Sequence, residues 1–373
     1  MEKKKKKSWG GILMLLCYVL VGAYCGVLIM NYLDSKPHSG PAAFLLCFAL
    51  LLAGMYLIML LQIILHEGGH LLFGLLSGYG FSSFRVGSLM LQKTESGLRF
   101  RRLSLAGTGG QCLMTPPALR AGSMPFVLYN LGGVLMNLVS ALLFRLCSLL
   151  CPGTAAGLLL RIGAVIGLTF ALANGLPLHL TDVDNDGANI VSMKRSPEAV
   201  RAFWVQLKVN ELASRGVRLR DMPEEWFTLP DASALQNGIA ASVAVMRENR
   251  LSDMLRIGEA DAAAQELLSG GARLQGVYRN LLTCDRIYFS LLRGEEPSAL
   301  FTKELRQFMK SMKIFPSVLR TEYAMALGEG DREKAGKLRA AFDKMARSYP
   351  NPSDIESERE LMALADERIG KRE

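Results

Sequence analysis

The stretch Leu61-Gln-Ile-Ile-Leu-His-Glu-Gly-Gly-His-Leu-Leu-Phe-Gly-Leu-Leu76 places two histidines and a glutamate inside a mostly apolar segment. On an α-helix, His66 and His70 lie one turn apart and face the same way. Two imidazoles at this spacing can bind one zinc ion. Glu67, beside them, is placed to take a proton from a zinc-bound water. The stretch therefore predicts a hydrolytic Zn²⁺ site on a helix in apolar surroundings.

The composition around this stretch favours a membrane protein. Half of the 373 residues are hydrophobic, and the mean hydropathy is +0.22. The net charge is +9, and much of it comes from the run Lys3–Lys7. Because this run directly precedes an apolar span, we expect it to bind anionic lipid and not nucleic acid. The 7 cysteines have no regular spacing, which argues against a disulfide framework.

Four apolar runs have about the length needed to cross the hydrocarbon core of a bilayer. They are Ser8–Leu33, Ser39–Leu65, Ala121–Phe144 and Ile162–Thr181. The first run is long and has no clear cleavage site, which favours a retained helix over a signal peptide. The apolar piece Leu146–Leu160 predicts an outer hairpin or a re-entrant segment, unless Arg145 and Arg161 snorkel from longer helices.

The charges of the loops indicate an orientation. The loop Gly78–Arg120 carries six basic residues against the single acidic residue Glu95. Because an excess of lysine and arginine marks the cytoplasmic side, we expect four spans with both termini in the cytoplasm. The expected location is the cell membrane of a bacterium. His66 then lies toward the cytoplasmic end of the second span.

The same loop contains a predicted β-hairpin. Phe84–Leu91 and Leu98–Leu105 alternate in polarity and flank the turn residues Thr94-Glu-Ser-Gly97. An extended edge near a hydrolytic site can hold a substrate strand by main-chain hydrogen bonds. A small interfacial hairpin without that role is the alternative. Gly107-Thr-Gly-Gly110 predicts a flexible turn, because it lacks the Lys-Ser/Thr ending of a phosphate loop.

Two histidines do not complete a catalytic zinc site, which usually has three protein ligands and an open water position. The fourth span ends in Asn174-Gly-Leu-Pro177, where glycine and proline should break the helix. Asp182, Asp184 and Asp186 follow, and a carboxylate at this depth would complete the site. A calcium loop is disfavoured because Met193 stands where that loop needs glutamate. A solvated acidic turn is the remaining alternative.

These motifs together resemble those of the site-2 proteases, a family of membrane-embedded zinc metalloproteases. The resemblance covers roughly residues 8 to 190, about half of the chain. It rests on four stretches: His66-Glu-Gly-Gly-His70, Asn130-Leu-Gly-Gly-Val-Leu-Met-Asn137, Asn174-Gly-Leu-Pro177 and Asp186-Gly187.

The resemblance implies a set of roles at the metal. His66, His70 and Asp186 would bind Zn²⁺, and Glu67 would be the catalytic base. Asp186 corresponds to the aspartate of the family's Asp-Gly pair. Asp182 is the alternative third ligand, because the segment before Asp186 is longer here than in the commonest form of the motif.

Two asparagines are candidate substrate-binding residues. Asn174 matches the family's asparagine before the proline, which is implied to help hold the bound peptide. Asn137 lies on the helix that looks like the family's Gly-x-x-x-Asn helix and is the second candidate. Asn130 and Asn137 are two turns apart on one face, so an alternative is that they join neighbouring helices.

From about Asn189 the sequence becomes charged and has helical periodicity. Breaks at Ser269-Gly-Gly271, Arg293–Pro297, Gly328–Asp331 and Tyr349–Pro352 separate helices of about 12 to 20 residues. We expect a transmembrane metalloprotease domain over residues 1–189 and a cytoplasmic, tetratricopeptide-like domain over 190–373. The second domain would dock a substrate or a regulatory protein, or it would be a stabilising cap.

The predicted fold is mostly α: about four transmembrane helices with a small β-hairpin insertion, followed by a cytoplasmic, solenoid-like helical domain. The predicted function is hydrolysis of peptide bonds in membrane-protein or peptide substrates at the cytoplasmic side of the bilayer. One alternative is a catalytically inactive membrane scaffold that recruits partners through its helical half. Another is a transporter or receptor, which would spread its polar residues over several spans instead of concentrating them at one depth.

Overall fold

The computed structural model describes residues 9–94, 97–103, 108–178 and 184–370. The lysine run Lys3–Lys7 and Asp182 lie outside the described residues. The chain forms two compact units. The first consists of Met1–Tyr79, Gly109–Cys112 and Pro125–Val191, and the second of Gly80–Thr108, Leu113–Met124 and Ser192–Glu373.

The first unit contains four helices that are long and apolar enough to cross a membrane. They are α1 (Trp9–Asp34), α2 (Pro41–Leu76), α3 (Val127–Leu150) and α4 (Ala155–Gly175). Large apolar side chains on all four point outward, among them Leu20, Leu45, Leu142 and Leu168. Apolar surface of this extent is typical of a membrane contact. The predicted set of four apolar helices is confirmed.

Several predicted boundaries differ from the structure: α2 extends past Leu65 to Leu76, and α4 begins at Ala155 instead of Ile162. Helix α3 does not include Ala121, because Ala121 and Gly122 both have a positive φ, which an α-helix does not allow. The piece 146–160 is divided between two long helices: α3 continues through Arg145 to Leu150, and α4 begins at Ala155. Thr154 caps α4 by accepting a hydrogen bond from the Gly157 amide at 3.0 Å.

Glycines let the helices of this unit approach closely. A Cβ atom on Gly69 of α2 would lie 2.1 Å from the carbonyl oxygen of Gly132 on α3. A Cβ atom on Gly163 of α4 would lie 2.7 Å from the Phe144 ring of α3. Small residues at helix contacts allow backbones to pack at this distance. The Gly69 contact therefore fixes α2 against α3 within the histidine motif itself.

A four-stranded sheet follows α2 along the chain. Its strands are β1 (Gly80–Val86), β2 (Leu89–Thr94), β3 (Gly97–Arg102) and β4 (Gly110–Thr115), in the spatial order β3-β2-β1-β4. Thr94 pairs with Gly97 in the antiparallel β2–β3 ladder, which confirms the predicted hairpin. Gly87, with φ 58°, makes a second turn where a single strand was predicted. Strand β4 was not predicted.

The sheet belongs mainly to the second unit, whereas we predicted it as an insertion in the membrane domain. Gln92 of β2 donates a hydrogen bond to the carbonyl oxygen of Pro350 at 3.0 Å. Trp204 donates to the carbonyl oxygen of Pro117 at 2.8 Å. These contacts join residues far apart in sequence, so sequence periodicity could not indicate them.

The rest of the second unit is helical. Helix α5 (Asp186–Lys194) crosses the boundary between the units, and the helices after it are α6 (Pro197–Ser214), α7 (Gly238–Asp253), α8 (Ile257–Ser269), α9 (Gly276–Arg293), α10 (Lys303–Ser311), α11 (Pro316–Gly328), α12 (Arg332–Ala346) and α13 (Pro352–Arg368). Helices end or begin at the four predicted breaks. The α7–α8 and α11–α12 pairs pack closely, and α13 packs against α6, α7, α9 and α11. The tetratricopeptide-like arrangement stays a prediction.

Candidate metal centre

The structure brings His66, His70 and Asp186 together in the first unit. The two histidines lie one turn apart on α2, with their Nε2 atoms 3.2 Å apart. Asp186 is the first residue of α5, and its Oδ2 atom lies 3.4 Å from each of these nitrogens. The three potential ligand atoms thus form a nearly equilateral triangle.

This triangle fits a tetrahedral zinc ion. With metal–ligand bonds of about 2.0–2.1 Å, the ligand atoms of a tetrahedral site lie roughly 3.3 Å apart. The Oδ2 atom of Asp186 is buried and has no hydrogen-bond partner among the residues that the structure describes. A buried carboxylate oxygen is costly unless a cation compensates it. Two imidazoles and one carboxylate form a known donor set for catalytic zinc and leave one position open.

The charge state of Asp186 agrees with a ligand role. Burial by itself would raise the pKa of Asp186, but the adjacent His70 and His66 hold it well below its usual range. Asp186 is therefore ionised, as a metal ligand must be.

Both imidazoles are oriented by acceptors at Nδ1. Nδ1 of His70 lies 2.8 Å from the carbonyl oxygen of Tyr129, which can only accept, so this nitrogen carries the proton. Nδ1 of His66 lies 2.7 Å from Oδ1 of Asn137. The Asn137 amide nitrogen donates to the main-chain carbonyl of Gln62 at 3.0 Å, which fixes Oδ1 as the acceptor. Both Nε2 lone pairs are thus left for a metal.

Gln62 is part of this arrangement and was missed in the sequence analysis. It is fully buried, and its Oε1 accepts hydrogen bonds from Asn137 at 2.8 Å and from Ser140 at 2.9 Å. Its Nε2 donates to the carbonyl oxygen of Gly163 on α4 at 3.0 Å. The sequence signal that could have indicated Gln62 is its place one turn before His66 in an apolar run. A polar side chain inside a membrane span costs free energy unless it has a partner.

Asn137 is enclosed by this network. It has no exposed surface, and both ends of its amide are hydrogen bonded to α2. These contacts support a role for Asn137 in orienting His66 more than they support its predicted contact with substrate. Asn130 instead donates to the carbonyl oxygen of Phe126, the residue that precedes its helix.

Asn185 positions the third ligand and was also not predicted. Its Oδ1 caps α5 by accepting from the Ala188 amide at 3.0 Å. Its Nδ2 donates to the carbonyl oxygens of Ala173 and Leu176, both at 2.6 Å. One side chain therefore ties the start of α5 to the end of α4. The sequence signal that could have indicated this role is an asparagine directly before the start of a helix, a common N-cap residue.

Gly187 permits the same close approach. A Cβ atom at this position would lie 2.3 Å from the carbonyl oxygen of Gly175 at the end of α4. A larger residue at position 187 would clash with the end of α4, which explains the glycine of the Asp186-Gly187 pair. Helix α4 ends at Gly175, as the glycine and proline predicted. The alternative ligand Asp182 lies outside the described residues.

Glu67 is buried on α2 next to His66. The first residue of β4, Gly110, packs against it, and a Cβ atom there would lie 2.5 Å from Oε1 of Glu67. A residue larger than glycine at position 110 would displace the carboxylate. The predicted flexible turn therefore ends in a strand that begins beside the candidate base.

Asn174, the other candidate for substrate binding, lies near the end of α4. It is half-buried, and its Nδ2 donates to the carbonyl oxygen of Phe170 one turn earlier at 3.0 Å. After Gly175 the backbone becomes extended, with Leu176 at φ −70° and ψ 129°. The contact of Asn174 with substrate stays a prediction.

Comparison with known proteins gives no family. No protein-family model, no curated protein and no solved structure matches this chain. The resemblance to site-2 proteases therefore stays an expectation from the sequence motifs.

Proposed function

We propose that this protein is a zinc metalloprotease that hydrolyses peptide bonds of membrane-associated substrates at the cytoplasmic side of the bilayer. The observation that carries the proposal is the triangle of two Nε2 atoms and one buried carboxylate oxygen that has no hydrogen-bond partner among the described residues. It lies among helices apolar enough to cross a membrane. His66, His70 and Asp186 would hold the metal.

The bound metal would supply Lewis acidity toward the scissile carbonyl and lower the pKa of a water. The protein's own groups do the rest. Glu67 accepts the proton of the attacking water and returns it to the leaving amine nitrogen. Asn137 and the Tyr129 carbonyl keep the imidazoles in one tautomer and one orientation. Asn185 keeps the Asp186 carboxylate at the end of α4.

A substrate must present an accessible carbonyl. In a transmembrane helix every backbone carbonyl is hydrogen bonded, so the substrate has to unwind before cleavage. We propose that the unwound segment is held near Glu67 with help from Asn174 and from the first residues of β4, which belong to the same unit. The proximity of the first residue of β4 to Glu67 supports this placement. The basic loop after α2 supports a cytoplasmic site.

The test uses purified full-length protein in nanodiscs and a mixture of transmembrane peptides whose fragments are read by mass spectrometry. Glu67→Gln should keep the metal and abolish cleavage, because the amide cannot take a proton. The double variant His66→Ala/His70→Ala should lose both. Full activity of Glu67→Gln would show that the proposed base is wrong. Zinc without turnover in the wild-type protein would favour the scaffold.

A further inference from the structure

The second unit contains a cavity of about 300 Å³ that lies among helices α6, α7, α9, α11 and α13. Its lining includes the apolar residues Val245, Leu282 and Leu361. A space of this size accepts one long side chain or a few residues of extended chain and excludes a folded partner. The lining also contains charged side chains, among them Asp285, Arg320 and Glu358, which is unusual for the interior of a helical domain.

Arg320 of α11 lies at the centre of the polar wall. It is 1% exposed, forms ion pairs with Asp285 of α9 and Glu358 of α13, and stacks on the Tyr288 ring at 4.3 Å. Its Nε atom has no hydrogen-bond partner within the described parts of the chain. One guanidinium thus serves two carboxylates that line the same cavity.

Carboxylates outnumber the cations in this wall. Asp354 also lines the cavity, and it is bonded by neutral donors, with Asn351 Nδ2 at 3.0 Å. Behind the wall, Glu248 of α7 is fully buried, and among the described residues its Oε2 has no hydrogen-bond partner. Asp253, which faces the cavity too, is already paired with Arg218. Arg320 is the only cationic side chain among the described residues that line the cavity, and its ion pairs are with Asp285 and Glu358.

Such an excess of buried negative charge must be neutralised, either by protons or by a bound cation. Burial raises the pKa of Glu358 to about 7 and that of Asp354 to about 6. Burial also raises the pKa values of Glu248 and Asp285. The cavity without a ligand therefore holds protons near neutral pH that an entering cation would displace.

The chemistry of the walls selects among cations. A compact divalent ion is disfavoured because the fixed charge of Arg320 stands among the carboxylates. A lysine or arginine side chain instead brings an apolar stem, which can contact the apolar lining residues, and a charged end for the carboxylates. Side chains of Asn210, Asn249, Ser317 and Ser357 also line the cavity. Such amides and hydroxyls can bond the main chain of an extended peptide.

We propose that this cavity binds a lysine or arginine side chain of an extended peptide segment from a partner protein. Asp354 and Glu358 receive the cationic end, and the asparagines and serines of the wall bond the peptide main chain. The site lies wholly within the second unit, and the proposal does not depend on the metal centre.

The test measures binding of a fluorescent, end-blocked heptapeptide to full-length protein in nanodiscs. The peptide carries one central lysine among alanines and serines, and a matched peptide has norleucine in its place. The lysine peptide should bind at least tenfold more tightly than the norleucine peptide. Equal affinities, or no binding of the lysine peptide at millimolar concentration, would overturn the proposal.

Matched variants locate the site. The isosteric double variant Asp354→Asn/Glu358→Gln should lose at least tenfold in affinity for the lysine peptide. Glu356→Gln changes an exposed carboxylate on the same helix and should leave the affinity unchanged. Unchanged binding by a folded double variant would show that the peptide binds elsewhere.

A pH series on the wild-type protein gives an answer even if the double variant fails to fold. Binding should weaken severalfold from pH 8 to pH 5, because protons compete for the carboxyl groups while the lysine stays charged. Tyr278 and Tyr349 also face the cavity but stay neutral, since burial raises the pKa of both. Affinity that is independent of pH would contradict the proposed contact.

Discussion

Asn137 accepts a 2.7 Å hydrogen bond from His66 while it is itself completely buried between α2 and α3. The bond orients an imidazole from a neighbouring helix, in the way that outer-shell partners orient metal ligands. We expect Asn137→Ala to lower zinc affinity by about 10–100-fold, the usual cost of losing such a partner. Dialysis against buffered zinc, followed by elemental analysis, measures the change.

Asn130→Ala is the matched control for this variant. Asn130 lies two turns earlier on the same helix and donates to the carbonyl oxygen of Phe126, the residue that precedes the helix. Its loss should leave zinc affinity within about twofold of wild type, since it contacts neither histidine by a hydrogen bond. Equal losses in the two variants would mean that α3 merely needs polar residues and that Asn137 has no orienting role.

Gln62 should act through Asn137. Its Oε1 accepts from the Asn137 amide, and its Nε2 reaches α4. We expect Gln62→Met, which keeps the volume, to weaken zinc binding less than Asn137→Ala does. The double variant should bind zinc no more weakly than Asn137→Ala alone, because the two residues form one chain of contacts. Additive losses in this double-mutant cycle would contradict the proposed chain.

The two glycines of the histidine motif should tolerate substitution very differently. A Cβ atom on Gly69 would lie 2.1 Å from the carbonyl oxygen of Gly132, whereas one on Gly68 would meet no described atom within 4 Å apart from its chain neighbours and the adjacent backbone of α2. Gly69→Ala should lower the free energy of unfolding by at least about 2 kcal/mol, as overpacking against backbone does. Gly68→Ala should be neutral or stabilise by up to about 1 kcal/mol through helix propensity.

Thermal unfolding in detergent compares these two variants directly. A Gly69→Ala protein as stable as Gly68→Ala would show that α2 and α3 do not approach each other as closely as described.

The helices around the cavity of the second unit, which Arg320 lines, should lose stability as pH rises. The folded-state pKa of Glu358 is about 7 and that of Asp354 about 6, both above ordinary carboxyl values. The native state therefore binds more protons, so its stability is full below about pH 4 and falls until about pH 7. Glu358 alone contributes on the order of 3 kcal/mol to this change.

Hydrogen exchange of α13 at pH 5 and pH 7.5, corrected for intrinsic rates, measures this effect. Protection should be higher at pH 5, and Glu358→Gln should reduce the difference. Glu356→Gln, on the exposed face of α13, should keep it. Higher protection at pH 7.5 would reverse the predicted sign.

The sequence predicted the features that depend on local rules. The spacing of His66 and His70 follows from one helical turn, and the end of α4 follows from Gly175 and Pro177. The hairpin between Thr94 and Gly97 follows from turn residues between alternating strands. Each of these features depends only on a few consecutive residues, so the types and spacing of those residues are enough to predict it.

The contacts that hold the site in place could not be predicted in this way. The Gln62–Asn137 hydrogen bond joins residues 75 positions apart. Asn185 donates to carbonyl groups that are free to accept only because α4 ends there. The sheet joins the second unit through Pro350, which lies 258 positions from Gln92. Such pairings depend on how elements pack, which periodicity does not report.

The most direct measurement is the metal content of the full-length protein, purified in detergent without chelators, with and without added zinc. Elemental analysis should find about one zinc per chain in the wild type, as expected for a single three-ligand site. His66→Ala/His70→Ala and Asp186→Ala should lose it, and Asn130→Ala should retain it. Absence of zinc even after reconstitution, or zinc retained in both ligand variants, would contradict the proposed metal centre.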